Sequence, residues 1–551
     1  MGETTGRTYF LETFGCQMNI LDSQLIEGQL RAFGLTPVAS FSDADVVLFN
    51  TCSVRQHAED KVLARLGQTR RHKLRRPETI VGVIGCMAER EKQGLFEKAP
   101  HVDLLCGPGE LNRLPGLLAE VWERNEKVAA LAGSLSRRTE VLQRAMEYDS
   151  LEALDLSRAP SLGEHVLQSY IRVQRGCDKF CTYCVVPFTR GPERSRPPQH
   201  IVDEAKMLSD RGCREVTLLG QTVNSYVHQE DGRPVPFAKL LERVHAVEGI
   251  DRVRFVTSFP ADWDEDIFRV MRDCPRVMPY LHIPAQSGSD RMLKAMRRTY
   301  TVAEYLRLMD AARRHVPHMA LAGDMIVGFC GETEEDFAAT VELVRRVEYQ
   351  SLFVFKYSPR PGTAADRNAA DDVPAGLKAA RNNELLAVQA EIGHRLRRAE
   401  VGRRVEVLVE GFSKHGRREL ERAGSQGSGN GEQRIDRSAA RGARVGTRMQ
   451  RNITAAALQD SEQDRGSEIS QRRSAQLVGR TRGDTMVVFN GDESLIGAIV
   501  EVEVTDATPL TLIGRVAEVC SPRRRPAPVP NSNDAPLPRH GVTPLSILAT
   551  A

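Results

Sequence analysis

The sequence predicts an α/β protein of three successive units: an open parallel α/β sheet, a partial (β/α)6 barrel, and a small β-barrel with a disordered insertion. Three observations carry that expectation. From residue 7 to 122, strand-like runs alternate with helix-length amphipathic stretches, the pattern of a parallel sheet. The alternation resumes from 163 to 395 with six strand–helix units, enough for a full or partial barrel. From 398 to 518 short apolar runs with Gly turns replace the helices, which suggests a small barrel.

In the first unit the strands are Thr8 to Phe14, Asp45 to Phe49, Thr79 to Ile84 and a short run at Val102 to Leu105. Helices are expected over Ile20 to Phe33, Arg55 to Arg70 and Ala88 to Lys98, with a connector from Ala129 to Gly163. In the second unit the strands begin at Tyr170, Glu215, Val253, Tyr280, Asp324 and Leu352. The third unit reads as strands at Arg404 to Val409, Thr485 to Phe489, Ala498 to Val504 and Leu512 to Val516. The segment 416–474 has no aromatic residue and is rich in Arg, Ser, Gly and Gln, so it is expected as a disordered insertion. Its 12 arginines would add at most a weak, salt-sensitive affinity for RNA. The segment 521–551 is expected as a disordered tail.

Composition narrows the function classes. Lys+Arg is 76 and Asp+Glu is 73, which excludes a histone-like polycation. No run approaches a membrane span, and the N-terminus has neither a signal peptide nor a myristoylation pattern. The expected setting is cytoplasmic, without membrane contact. Thiols stay reduced there, so the 11 cysteines are read first as metal ligands or catalytic groups.

Two sets of cysteines stand out. Cys177, Cys181 and Cys184 share one loop directly after a strand. Three thiolates on one loop hold three irons of a [4Fe–4S] cube and leave the fourth iron open. Structural zinc is the competing reading, but it is normally closed by four ligands, and no fourth Cys or His lies near in sequence. Cys16, Cys52 and Cys86 each end a predicted strand of the first unit. The carboxyl ends of parallel strands meet in one crevice, so these three thiols are expected to converge as a second site. Cys106, Cys213, Cys274, Cys330 and Cys520 share no spacing and are read as structural or incidental. The turns at Gly328 to Thr333, Pro284 to Asp290 and Gln221 to Tyr226 lie at strand ends, where a barrel places substrate-facing loops or simple helix caps. Arg70 to Arg76 is a basic run, read as a solvated helix end that would also suit phosphate.

These strings resemble the radical S-adenosylmethionine methylthiotransferases. The resemblance rests on Phe14-Gly15-Cys16-Gln17-Met18-Asn19, Asn50-Thr51-Cys52-Ser53-Val54-Arg55, Gly85-Cys86-Met87-Ala88, Arg175-Gly176-Cys177 through Arg190-Gly191, and Ser358-Pro359-Arg360-Pro361-Gly362-Thr363. Within the family the strings are most similar to the tRNA-2-methylthio-N6-dimethylallyladenosine synthases. The resemblance implies a methylthiotransferase N-terminal domain, a radical-SAM core and a TRAM RNA-binding domain. It implies that Cys177, Cys181 and Cys184 hold the cluster that cleaves S-adenosylmethionine, with Tyr183 near the adenine. It implies that Cys16, Cys52 and Cys86 hold an auxiliary [4Fe–4S] cluster. One S-adenosylmethionine would methylate sulfur at the auxiliary cluster, and a second would yield the radical that activates carbon 2 of adenine-37, beside the anticodon. The implied partners are tRNA carrying N6-dimethylallyladenosine-37, a reductant protein of flavodoxin or ferredoxin type, and a sulfur donor, with the enzyme a monomer.

Two positions depart from the family pattern: Phe259 stands where His is expected, and Cys330 where Pro is expected. Other substrates stay open at this point, namely threonylcarbamoyladenosine in tRNA and an aspartate of a ribosomal protein. Gln17-Met18 argues against the ribosomal-protein branch, which typically has Pro-Lys there. A two-cluster electron carrier with an RNA-binding module is the reading from another class. Carriers normally close each cluster with four cysteines, whereas both sets here have three.

Overall fold

The computed structural model describes residues 6–53, 56–131, 155, 166–426 and 474–523. The first unit is a six-stranded, all-parallel sheet in the order β2-β1-β3-β4-β5-β6. Its strands are β1 (Thr8–Thr13), β2 (Thr36–Pro37), β3 (Val46–Thr51), β4 (Ile80–Gly85), β5 (Leu104–Cys106) and β6 (Val128–Ala130). Every residue of β3 and β4 is buried, as central strands covered on both faces must be. Helix α1 (Gln17–Ala32) follows β1 and α2 (Gln56–Arg75) follows β3. The single helix expected over Ala88 to Lys98 is two, α3 (Cys86–Glu91) and α4 (Gly94–Lys98). Lys92 between them has φ +53°, which no α-helix accommodates. The expected connector contributes β6 before the described residues stop at 131.

The second unit holds six parallel strands: β7 (Gln168–Arg172), β10 (Glu215–Leu219), β13 (Arg252–Val256), β14 (Tyr280–His282), β15 (Ala320–Val327) and β16 (Ser351–Lys356). They pair as two three-stranded sheets, β7-β10-β13 and β14-β15-β16. The Val253–Val277 bridge and the Ser258 amide, which donates to the His282 carbonyl at 3.1 Å, stitch the two together. A two-residue antiparallel pair, β8 (Gln174–Arg175) and β9 (Arg194–Ser195), closes the base of the loop that carries the second cysteine set. A hairpin, β11 (Val227–Glu230) with β12 (Arg233–Pro236), hangs off the barrel.

The third unit is a closed five-stranded barrel in the order β17-β18-β19-β21-β20. Its strands are β17 (Arg404–Phe412), β18 (Ser474–Thr481), β19 (Met486–Asp492), β20 (Ile499–Ala507) and β21 (Thr511–Ser521). Strand β18, absent from the sequence expectation, pairs with both β17 and β19 and completes the closure. The expected start of the insertion is corrected too, because a helix spans Lys414–Gln426. The Ser413 hydroxyl accepts from the Gly416 amide at 3.0 Å, an N-cap contact that the compositional reading overlooked. The remainder of that segment, 427–473, and the tail beyond Arg523 lie outside the described residues.

Buried arginines dock this barrel onto the amino ends of the core strands. Arg214 donates to the Gly497 carbonyl at 2.9 Å and to the Ser521 hydroxyl at 2.7 Å. Arg252 donates to the Arg480 carbonyl at 2.8 Å and to Glu406 at 2.9 Å, while Arg254 donates to the carbonyls of Thr481 and Arg482, both at 2.9 Å. Each such bond to a charged donor contributes about 1.5–3 kcal/mol. Arg252→Met removes two of them and is expected to weaken docking by about 3 kcal/mol. The check is limited proteolysis near residue 400 alongside a thermal scan. Release of the C-terminal barrel before the core unfolds is the expected outcome, and an unchanged profile contradicts it.

Candidate cysteine centres

The first set meets as the strand order requires. Cys16 lies at the N-cap of α1, Cys52 follows β3, and Cys86 opens α3 directly after β4. Two asparagines hold the first two loops together. The Asn19 amide donates to the Asn50 side-chain oxygen and to the Thr51 carbonyl, both at 3.0 Å. Asn50 donates back to the Asn19 carbonyl at 2.8 Å and to the Ser23 hydroxyl at 2.9 Å. The Thr51 hydroxyl donates to the Ile84 carbonyl at 2.7 Å and ties in the third loop. Gly15 (φ +142°) and Gly85 (φ +92°) are obligatory here. A Cβ on Gly15 would sit 2.4 Å from the Cys52 Cβ, and one on Gly85 would sit 2.6 Å from the Asn50 side chain.

Cys16 interacts with each of the other two thiols. The Cys52 thiol hydrogen-bonds Cys16 and, against the opposing effect of burial, holds the Cys16 thiol down at about 6. Burial pushes the Cys86 thiol up. Arg190 lowers both, and its own ionisation is held high, against the cost of burial, by Cys86, Asp22 and Cys16. Arg360 reaches the same place from the far end of the core, 3.3 Å from Glu59 of α2 and within electrostatic range of Cys52.

The second set occupies the loop between β8 and β9. The Cys177 amide donates to Gly191 at 3.1 Å, and the Cys184 amide donates to Cys181 at 3.0 Å. The Thr182 amide and hydroxyl donate to the Met296 and Ala295 carbonyls at 3.1 and 2.9 Å. Burial and mutual repulsion push the Cys177 thiol up, and push Cys184 up to about 12. The helix Val186–Arg190 that follows this loop packs against α3, which Cys86 opens, and Arg190 pairs with Asp22 of α1 at 2.9 Å, so the two sets adjoin between the first and second units. Tyr183 is packed at 77° against Phe329, ring centroids 6.5 Å apart. That contact brings the Gly328 to Thr333 turn to the second set.

Among the described residues, no three Cys, His, Asp or Glu side chains converge as ligands of a single metal ion. A four-iron cube takes each thiolate on a different iron. Two sets of three thiols beside guanidinium groups suit such clusters. Of the weaker sequence candidates, Ser289 and Thr333 cap helices, accepting from the Met292 and Asp336 amides. Asn224 clamps the Phe259 backbone through reciprocal bonds of 2.8 and 2.7 Å. In the basic run, Lys73 pairs with Asp103 and Arg76 with Asp45, while Arg70, Arg71 and Arg75 are exposed. Sequence reasoning assigned no role to Asn19, Asp22, Asn50, Glu59, Arg190, Arg298 or Arg360. Asn19 and Asn50 lie inside the cysteine strings, and a buried Asn beside a ligand is the signal that could have found them.

The hydrogen bond at Cys16 has a measurable consequence. In metal-free protein under anaerobic conditions, alkylation of Cys16 by iodoacetamide should rise with a midpoint near pH 6, because its thiolate persists down to about 6. Cys86 should stay largely unreacted at neutral pH, and peptide mass spectrometry separates the two. Equal rates at both cysteines would contradict the geometry.

Three family models match the chain. One described as an uncharacterized protein family, UPF0004, covers residues 8–107; the radical SAM superfamily covers 171–344; the TRAM domain covers 467–517. A tRNA-2-methylthio-N(6)-dimethylallyladenosine synthase of Rhodopirellula baltica is 41% identical over 514 residues, 93% of this chain and 96% of its own. One of Carboxydothermus hydrogenoformans is 36% identical over 510 residues, 92% of this chain and 99% of its own. A solved radical S-adenosylmethionine methyltransferase from Kitasatospora setae, with cobalamin and a [4Fe-4S] cluster bound, overlaps 65% of this chain and 77% of its own at 15% identity and a TM-score of 0.46. Identity of this order across nearly the whole of both sequences leaves one conclusion: the chain belongs to the radical S-adenosylmethionine methylthiotransferases, among the tRNA-2-methylthio-N(6)-dimethylallyladenosine synthases.

Proposed function

We propose that the protein transfers a methylthio group to carbon 2 of N6-dimethylallyladenosine at position 37 of tRNA, with S-adenosylmethionine and two [4Fe–4S] clusters. The observation that carries this reading is the pair of adjoining three-cysteine sets in a chain 41% identical to a synthase of that name. When bound, the clusters and S-adenosylmethionine supply the radical chemistry that an unactivated aromatic C–H bond demands. Cys177, Cys181 and Cys184 would hold one cluster, and Cys16, Cys52 and Cys86 the other. Tyr183 would lie against the adenine of S-adenosylmethionine.

The chain's own residues do the rest. The Asn19–Asn50 pair sets the spacing of the first set. The guanidinium of Arg190 offsets the negative charge gathered at Cys16 and Cys86. Residues 8–107 act as the methylthiotransferase domain, 171–344 as the radical-SAM core, and the closed barrel binds RNA. A flavodoxin- or ferredoxin-type protein would supply electrons and a separate donor the sulfur, with the enzyme working as a cytoplasmic monomer. Among the described residues, no helix is long and apolar enough to cross a membrane.

The direct test is mass spectrometry of tRNA nucleosides from cells lacking the protein. The methylthio group should disappear and dimethylallyladenosine accumulate; accumulation of unmodified threonylcarbamoyladenosine instead would move the substrate to that nucleoside. Anaerobically reconstituted protein should bind about eight iron and eight sulfide. Replacing Cys177, Cys181 and Cys184 together with Ala should leave about half. One zinc with no iron would defeat the cluster assignment. Cys52→Ala should abolish methylthiolation while reductive cleavage of S-adenosylmethionine to 5′-deoxyadenosine persists. Loss of that cleavage in folded Cys52→Ala protein would show that the two sets do not divide the labour this way.

A further inference from the structure

Arg298 lies just beyond the helix Asp290–Ala295, outside every cysteine string, yet it reaches the second set. Its Nη1 donates to the Sγ of Cys181 at 3.5 Å. Its Nη2 donates to the Pro284 carbonyl at 3.0 Å, and its Nε donates to the Tyr300 hydroxyl at 2.8 Å. The guanidinium carbon stands 4.4 Å from the ring centroid of Phe259 and 5.0 Å from that of Tyr300. Those two rings meet edge to face at 77°, centroids 5.9 Å apart. Phe259 is 4% exposed, and its backbone is clamped by Asn224. Three hydrogen bonds and two aromatic faces thus fix a permanent cation against one thiol of the set.

We propose that Arg298, seated on the Phe259–Tyr300 shelf, is a positioning residue that donates to the Cys181 sulfur and makes the cluster at Cys177, Cys181 and Cys184 easier to reduce. This rests on the ligand assignment made above. Reduction passes one electron from a flavodoxin- or ferredoxin-type donor to the cluster; no covalent bond forms or breaks. The added negative charge spreads over the irons and their sulfurs. A fixed cation and a hydrogen bond at a ligand sulfur stabilise the reduced form, more so where water is largely excluded. Arginine suits the task because it keeps its charge and presents a rigid planar fork. Phe259, which replaces the expected His, offers the cation a π face and does not compete for its hydrogen bonds.

The test uses full-length protein carrying Cys16→Ala, Cys52→Ala and Cys86→Ala, so that one cluster reports. Its midpoint is read by electron paramagnetic resonance during a redox titration with dithionite. Arg298→Ala should lower the ratio of reduced to oxidised cluster at fixed potential about tenfold, a midpoint more negative by about 59 mV on the one-electron scale. Arg298→Lys should fall between this variant and the parent. Phe259→Leu, which stays apolar and loses the π face, should shift the same way by less. A parental midpoint in iron-loaded Arg298→Ala overturns the proposal. Should that variant fail to fold, parental midpoints in both Arg298→Lys and Phe259→Leu overturn it equally. A parent protein that binds no iron overturns the ligand assignment, and the proposal with it.

Discussion

One buried carboxylate fixes how the first two units meet. Asp22, on α1, is inaccessible to solvent and pairs with Arg172 of β7 and with Arg190, which follows the second cysteine loop. Removing one partner of such a pair costs about 3–5 kcal/mol, because the other charge stays buried and uncompensated. Asp22 lies less than two helical turns after Cys16, so the same contact sets how the first cysteine set faces the second. Arg172 is 2% exposed, and among the described residues its other acidic neighbour, Asp155, stands 3.8 Å away and is shared with Arg175 and Arg196.

Charge compensation extends from there into both sets. Burial and neighbouring thiols raise the cost of ionising Cys177 and Cys184 in the second set. The chain answers with guanidinium groups that come from distant segments: Arg190 at Cys16 and Cys86, Arg360 near Cys52, and Arg298 at Cys181. Each is itself anchored, to Asp22, to Glu59 and to the Pro284 carbonyl with Tyr300. The result is a polar site inside an apolar frame, whose charges are set by rigid neighbours rather than by mobile water.

The RNA-binding barrel is attached at the other end of the core. Arg214 just before β10, Arg252 at the start of β13 and Arg254 two residues on donate to its backbone carbonyls, whereas the cysteines follow strand ends. A five-residue strand spans roughly 17 Å. A substrate that touches both must run along the flank of the core, a demand that an extended RNA stem meets and a small molecule does not.

The order of the units, the parallel alternation and both cysteine sets were legible in the sequence, because each depends on local spacing. Strand-like apolar runs separated by helix-length amphipathic stretches mark β1, β3, β4 and the core strands, and a loop of eight residues carries Cys177 to Cys184. The closed barrel was only partly legible. Strand β18 lies at the edge of a compositionally polar stretch, and only its pairing with β17 and β19 makes it a strand. The helix Lys414–Gln426 depends likewise on a cap and on packing against β18, which composition does not reveal. What only tertiary structure decided is the set of partners around the thiols. Asn19 meets Asn50 across 31 residues, Arg172 meets Asp22 across 150, and Arg360 meets Glu59 across 301. Local sequence determined where the six cysteines sit, since each lies in a short string at or just after a strand. The fold decided what surrounds them, because a buried charge is satisfied by whichever partner the chain's packing brings within hydrogen-bond reach, however far away it lies in sequence.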